Sequence, residues 1–372
     1  MNYPPFGPVI PLDKVEDLRR ELADLFIVTD TTLDQPDAGH VRFRGQFLQD
    51  PADCFDTLRS RFERHGFTPM IRREANRIAL IAIPTVFDPP PSNWWVNLAL
   101  FVATILSTLF VGAAYEVGST TLSQLWRGWP FSLSIMLILG AHELGHYFAA
   151  RYHKVPVTLP YFIPLPSVNF SLIGTLGAFI QLKGPVKNRR ALLDVGAAGP
   201  LAGMVFALPI LLFGLATSEV GPLPPGGYLM EGNSILYALA KIVVYGRMLP
   251  ANGFDVSLNQ VAWAGWVGLL VTGLNLIPVG QLDGGHVAYV LFGEKARQLF
   301  WPVITALGAL VLLAGASMWG FWILLLFLLG RNHAKPLDDV TTLDKKRRLI
   351  AIFTLLLFFL VFIPNPLQIV PL

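Results

Sequence analysis

The stretch FSLSIMLILGAHELGHYFAA, Phe131 to Ala150, decides how this chain folds. About 20 apolar residues suffice for a helix to cross a bilayer, and this run is that long. Its second half carries His142, Glu143 and His146. A single charge at the centre of a span costs about 2.5–3.5 kcal/mol on insertion scales, so three ionisable groups in five residues need a purpose. His142 and His146 stand at i and i+4, one above the other on a helix face. That spacing lets two imidazoles hold one Zn²⁺, with Glu143 beside them as a general base. In a soluble sequence HExxH is short enough to arise by chance. Inside an apolar span the metal reading is the stronger one.

The rest of the chain reads as a membrane protein. Of 372 residues, 53% are hydrophobic and 14% charged, where a soluble domain carries about 25% charged residues. The mean hydropathy is +0.53. Spans are expected near 94–114, 130–150, 191–217, 261–280, 301–315, 317–330 and 348–364. The pair within 301–330 reads either as one long tilted helix or as two short ones around Ala314-Gly-Ala-Ser317. Basic groups precede the first span (Arg72, Arg73, Arg77), follow the second (Arg151 to Arg190) and precede the last (Lys345 to Arg348). They share one side only if 301–330 crosses twice. That favours about seven spans, a cytosolic N-terminus and a location in the plasma membrane. Trp94, Trp95, Trp301, Trp319 and Trp322 fit interface anchors. His40, His65, His153 and His333 read as interfacial or surface residues.

Residues 1–88 read as a small cytosolic α+β domain. Helical spacing runs over Leu12–Phe26 and Pro51–His65, the latter opened by Asp50 as a cap. Strand patterns run over Val41–Leu48, Phe67–Arg73 and Arg77–Pro84. A Pro-rich linker at 89–93 leads to a transmembrane domain at 94–372. No secretory leader is expected, because the first long apolar stretch begins near Asn93. The opening residues lack the Arg- and Ser-rich character of an organelle import sequence, which favours a bacterial protein. The net charge of +3 and the lack of basic runs interleaved with aromatics exclude a nucleic-acid partner. Cys54 is the only cysteine, so any metal must use His and carboxylate.

A second motif, NLIPVGQLDGGH, covers Asn275 to His286. An apolar helix over Val261–Leu274 runs into it, Pro278 breaks the helix, and Gly284-Gly285 allows close backbone approach. Catalytic zinc takes three protein ligands and keeps one position open. Asp283 is the best third ligand and His286 its rival; as a plain turn residue, Asp283 would need no metal. Segment 155–190 is too broken for a helix and too apolar for an ordinary loop, and Leu176–Leu182 reads as a strand. Such backbone survives at membrane depth only where protein or a water cavity satisfies it. Gly196–Gly203 (GAAGPLAG) reads first as tight helix packing and second as lining of the site.

Taken together, His142-Glu-Leu-Gly-His146 and Asn275-x-x-Pro278-x-x-x-x-Asp283-Gly-Gly285 resemble the site-2 protease family, over roughly residues 94–330. The Gly273–His286 stretch is closest to the branch shared by cyanobacteria and plant chloroplasts. The resemblance implies an intramembrane zinc metalloprotease with one Zn²⁺ per chain, held by His142, His146 and Asp283. It implies Glu143 as the base towards a zinc-activated water, Asn275 steadying the oxyanion, and a re-entrant β element receiving the substrate at Gly174, Gly177 and Phe179. It implies a single-span membrane protein as substrate, an anti-sigma-factor-like regulator being one candidate, and the bilayer as surroundings. Residues 218–260 are too short for the PDZ domain that many members carry between the motifs. A membrane protease acting on prenylated C-termini would want a downstream Glu on a helix. A metal transporter has no need of Glu143 or Asn275. An inactive scaffold would not be expected to keep every one of these residues.

Overall fold

The computed structural model describes residues 10–74, 77–118, 121–167, 173–224, 226, 228–330 and 335–370. His333 lies outside them. The chain divides into two compact units, the first of which gathers residues up to Pro90 together with 183–192 and 335–344.

In the first unit, α1 (Leu12–Glu21) buries Val15 and Leu18. It stops short of Phe26, which instead opens β1 (Phe26–Leu33). β1 pairs with β2 (Val41–Phe47), with a register shift between Val28 and Asp30. α2 (Pro51–Arg64) buries Cys54, Phe55, Leu58 and Phe62, an apolar stripe at helical spacing. The Asp50 side chain accepts from the Ala52 N–H at 2.9 Å, as its place before the helix requires. β3 (Thr68–Glu74) and β4 (Arg77–Ile83) complete an antiparallel sheet of order β1-β2-β4-β3. The outer edge of β3 is covered. Ile71 N–H donates to Leu337 O at 2.8 Å, and Leu337 N–H donates to Val186 O at 2.8 Å. Lys187 adds an ion pair with Asp56 at 2.7 Å.

The second unit is mostly helical. α3 (Trp94–Val117) leads through a short 3-10 turn into α4 (Trp129–Tyr152). β5 (Tyr161–Pro164) and β6 (Thr175–Phe179) then form a two-stranded antiparallel ladder. α5 (Arg189–Ala216) follows, and then a region of β7 (Glu219–Pro222), β8 (Tyr228–Glu231), α6 (Ile235–Tyr245) and β9 (Phe254–Ser257). α7 (Gln260–Asn275) breaks at the expected proline turn, and α8 (Asp283–Phe292) restarts at Asp283. α9 (Phe300–Ala314) and α10 (Met318–Leu329) are separate helices, so the 301–330 stretch is two short helices rather than one. α11 (Lys345–Val361) and β10 (Leu367–Val370) end the described chain.

Among the described residues three helical runs are long and apolar enough to cross a membrane: Trp94–Val117, Arg189–Ala216 and Asp283–Ala314. α4 is as long as α3, but its two histidines and glutamate lower its hydropathy. It packs against α3 and α7. Trp94, Trp95 and Trp301 are exposed, as interface anchors would be. Trp319 departs from that expectation: it is buried, and its Nε1–H donates to Pro364 O at 2.7 Å. A cavity of about 700 Å³ lies between the end of α3, the short strands and the start of α7, lined by Tyr115, Tyr228, Glu231 and Trp263. None of the candidate site residues lines it.

Candidate metal centre

α4 brings His142 and His146 to one face, and both are buried, as is Glu143. Asp283, first residue of α8, reaches them from the other motif. Its Oδ2 lies 3.3 Å from Nε2 of His142 and 3.3 Å from Nε2 of His146. The two Nε2 atoms are 3.1 Å apart. The three donor atoms therefore form a nearly equilateral triangle. A tetrahedral zinc with bonds of about 2.0–2.1 Å sets its ligand atoms about 3.3–3.4 Å apart, so the triangle matches one face of that tetrahedron. The donor set, two His and one carboxylate, is one that hydrolytic zinc uses. Among the described residues this is the only trio of His, Cys, Asp or Glu close enough to share an ion.

The surroundings hold the ligands in place. Val195 O accepts from His146 Nδ1 at 2.7 Å, which leaves Nε2 free to face the metal position. The α5 face opposite α4 has no room for side chains. A Cβ on Gly199 would lie 2.1 Å from His146 Nε2, and one on Gly203 would lie 3.3 Å from the His142 Cβ. Gly145 of α4 abuts Ala198 O in the same way, at 2.5 Å from where its Cβ would be. Both readings of Gly196–Gly203 hold at once: the helices pack tightly, and what packs there is the pair of histidine rings. Sequence reasoning took Gly199 and Gly203 only as part of the Gly196–Gly203 run and did not name Val195. The i, i+3, i+7 spacing of Gly196, Gly199 and Gly203 was the available signal.

The remaining candidates fall around this centre. Asn275, the last residue of α7, points Nδ2 toward His142 Nε2 at 3.5 Å. The Ile180 backbone lies near the Glu143 carboxylate. Ile180 directly follows β6, so the carboxylate stands beside that strand. Gly174 and Gly177 both have positive φ, +73° and +100°, which favours glycine. Gly174 O accepts from Ser107 Oγ at 2.5 Å, and a Cβ there would sit 2.8 Å from Ser107 O. Phe179 is 48% exposed and stacks on Tyr161 across the ladder. His286 is not drawn into the triangle; its Cβ lies against Gly196. His153, read as interfacial or surface, is partly buried at the end of α4 and pairs with Asp194 at 2.8 Å.

Residues 130–315, half the chain, match Peptidase family M50. This chain belongs to Peptidase family M50. That is the site-2 protease family, so the resemblance drawn from the two motifs holds. Among curated relatives of this M50 chain, "Probable zinc metalloprotease EGY2, chloroplastic" of Arabidopsis thaliana is 31% identical over 96% of this chain and 66% of its own length. The protein of the same name from Oryza sativa subsp. indica is 28% identical over 92% of this chain and 64% of its own. "Probable zinc metalloprotease EGY1, chloroplastic" of Oryza sativa subsp. japonica is 29% identical over 75% of this chain and 52% of its own. The chain thus spans less than two thirds of the length of these relatives. No solved structure matches it. Where other M50 peptidases carry a PDZ domain, this one has the three short strands and α6.

Proposed function

We propose that this chain is a zinc metalloprotease that hydrolyses a peptide bond within or beside the transmembrane segment of a membrane-anchored protein. The observation that carries the reading is the triangle of His142 Nε2, His146 Nε2 and Asp283 Oδ2, with sides of 3.1–3.3 Å, next to a buried glutamate that is not one of its corners. Bound there, Zn²⁺ would bring the pKa of water from 15.7 to about 7 and polarise the scissile carbonyl.

The chain's own groups do the rest. Glu143 takes the proton of the attacking water and hands it to the leaving amine. Asn275, neutral and at the rim of the triangle, donates its Nδ2–H to the oxygen on which charge develops. A helical substrate hides its carbonyls, so it must be held extended. The β6 strand can do this, pairing its backbone with a substrate strand near Gly174 and Gly177 and offering Phe179 as an apolar contact. Ile180, near Glu143 and next after β6, would keep the base beside that substrate strand. The substrate class is a single-span membrane protein, an anti-sigma-factor-like regulator among the candidates. The seven-span arrangement in a lipid membrane, with the N-terminus in the cytosol, belongs to the same reading.

The test is reconstitution of the purified chain with candidate single-span substrates, with and without a zinc chelator. Cleavage should stop on chelation and return with added Zn²⁺. Cleavage that survives both chelation and Glu143→Gln would overturn the proposal.

A further inference from the structure

We infer that Asp194 is a positioning residue for the metal centre, acting as an ionic lock that joins the helix of His142 and His146 to the part of the bundle that carries Asp283. The inference rests on the reading of those three residues as the ligands.

Asp194 lies on α5 and meets two partners. Its Oδ2 accepts from His153 Nε2 at 2.8 Å. Arg347 grips it from the other side, with Nε at 3.0 and 3.1 Å from the two carboxylate oxygens and Nη2 at 2.7 Å from Oδ2. His153 closes α4 seven residues after His146, so the two project on nearly the same face of that helix. Arg347 is in the first turn of α11, and α11 packs along α8, whose first residue is Asp283. One carboxylate thus touches the end of α4 directly and the α11–α8 pair through Arg347. All three side chains are between 15% and 29% exposed, so the charges are shielded from bulk water.

A lock is needed here because the α4–α5 contact is smooth. Gly145 meets Ala198 O, and Gly199 and Gly203 meet the histidine rings. Glycine faces let helices approach closely but offer no interdigitating side chains to resist sliding along the axis. Yet Val195 O must meet His146 Nδ1 at 2.7 Å, and Gly199 must lie opposite its ring. Val195 is the residue next to Asp194. Fixing Asp194 against His153 therefore fixes the height of α5 on α4 within one peptide unit of the bond that orients His146. A forked Arg–carboxylate contact is directional as well as strong, which suits a register lock.

The test uses the full chain in detergent, stripped of metal and titrated with Co²⁺, read by the visible absorption of the tetrahedral ion. Replacing a residue that orients a ligand typically costs about 10–100-fold in metal affinity. Asp194→Asn should bind Co²⁺ about tenfold more weakly and with an altered band shape, and Asp194→Glu, which keeps the charge, should recover most of the loss. Asp255→Asn, which loosens the distant Lys241 cluster, should lower the melting temperature and leave the cobalt band unchanged. Should Asp194→Asn fail to fold, His153→Gln and Arg347→Gln each remove one arm and should each weaken binding. Wild-type affinity in the Asp194 or arm variants, or equal weakening in Asp255→Asn, overturns the lock. If instead the wild type binds no Co²⁺, or His146→Ala binds it as well as the wild type, the ligand reading itself has failed.

Discussion

Replacing Glu143 by Gln keeps the side chain's volume and its place beside Ile180, but removes the group that accepts a proton. Because Glu143 is not a corner of the donor triangle, the variant should keep its zinc while hydrolysis falls by at least the 10²–10⁴-fold typical of a lost general base. Metal analysis alongside a cleavage assay checks both halves; loss of the metal would make Glu143 a ligand instead. The complementary pair is Asp283→Ala and His286→Ala. The first removes the atom that lies 3.3 Å from both imidazoles and should strip the zinc. The second removes a ring outside the triangle and should leave metal content as in the wild type. His142, Glu143 and His146 were legible from sequence because helix geometry alone fixes i and i+4. Asp283 was not legible that way. No local rule links it to residues more than a hundred positions earlier, and Asp283 and His286 open the same helix, so the preference for Asp283 rested on ligand chemistry and on the family resemblance.

At the scale of elements, α5 shows how a helix can be shaped by what lies against it. Gly199→Ala should push His146 out of line, because the new Cβ would fall 2.1 Å from Nε2. Zinc content should drop sharply with the helix intact. Gly140→Ala on α4 is the contrast: nothing lies within 4 Å of its added Cβ. That change should be neutral or stabilise by about 0.5–1 kcal/mol, the usual gain of Ala over Gly in a helix, seen as an equal or higher melting temperature. α2 gives a second probe. Burial pushes the Cys54 thiol up from its usual range, and little thiolate then forms at neutral pH. Maleimide labelling of Cys54 should be slow in the folded protein and fast once the first unit unfolds, and Asp50→Ala, by removing a cap worth about 1 kcal/mol, should bring that burst to lower temperature. α2 and β2 were readable because each keeps a clean period, and β4 because RIALIAI is a short apolar run of strand-forming residues. β1 was not, because its bulge after Val28 breaks the alternation and Thr29 to Thr32 are polar. Trp319 was misread because tryptophans at membrane interfaces and tryptophans whose N–H finds a buried carbonyl look alike in sequence.

At the scale of the whole molecule, the pairing of short elements bears on how often the chain crosses the membrane. β10, which follows α11, pairs with β8, which lies between α5 and α6. The C-terminal ends of α5 and α11 therefore share one side of the second unit. The tip between α9 and α10 reaches the same side, since Asn365 Nδ2 donates to Ala314 O at 3.3 Å and Trp319 Nε1 to Pro364 O at 2.7 Å. Two helices joined at that tip are compatible with the proposed seven-span arrangement, in which 301–330 crosses twice. The starts of α5 and α11 then face the other way, carrying Arg190 and Arg347 to the side where α4 ends in Arg151. His146 is six residues from the end of α4, about 9 Å at 1.5 Å per residue, so the proposed metal centre lies nearer that basic side, which we propose faces the cytosol. Single cysteines in a Cys54→Ser background test this in intact cells. Positions 187 and 297 should be labelled by a membrane-impermeant reagent only after lysis, and position 219, in β7, should be labelled from outside without it. If 187 and 297 react only from outside, the orientation is reversed. The fragment that cleavage frees would then leave on the outer side, the face nearest to a centre about 9 Å from the end of α4.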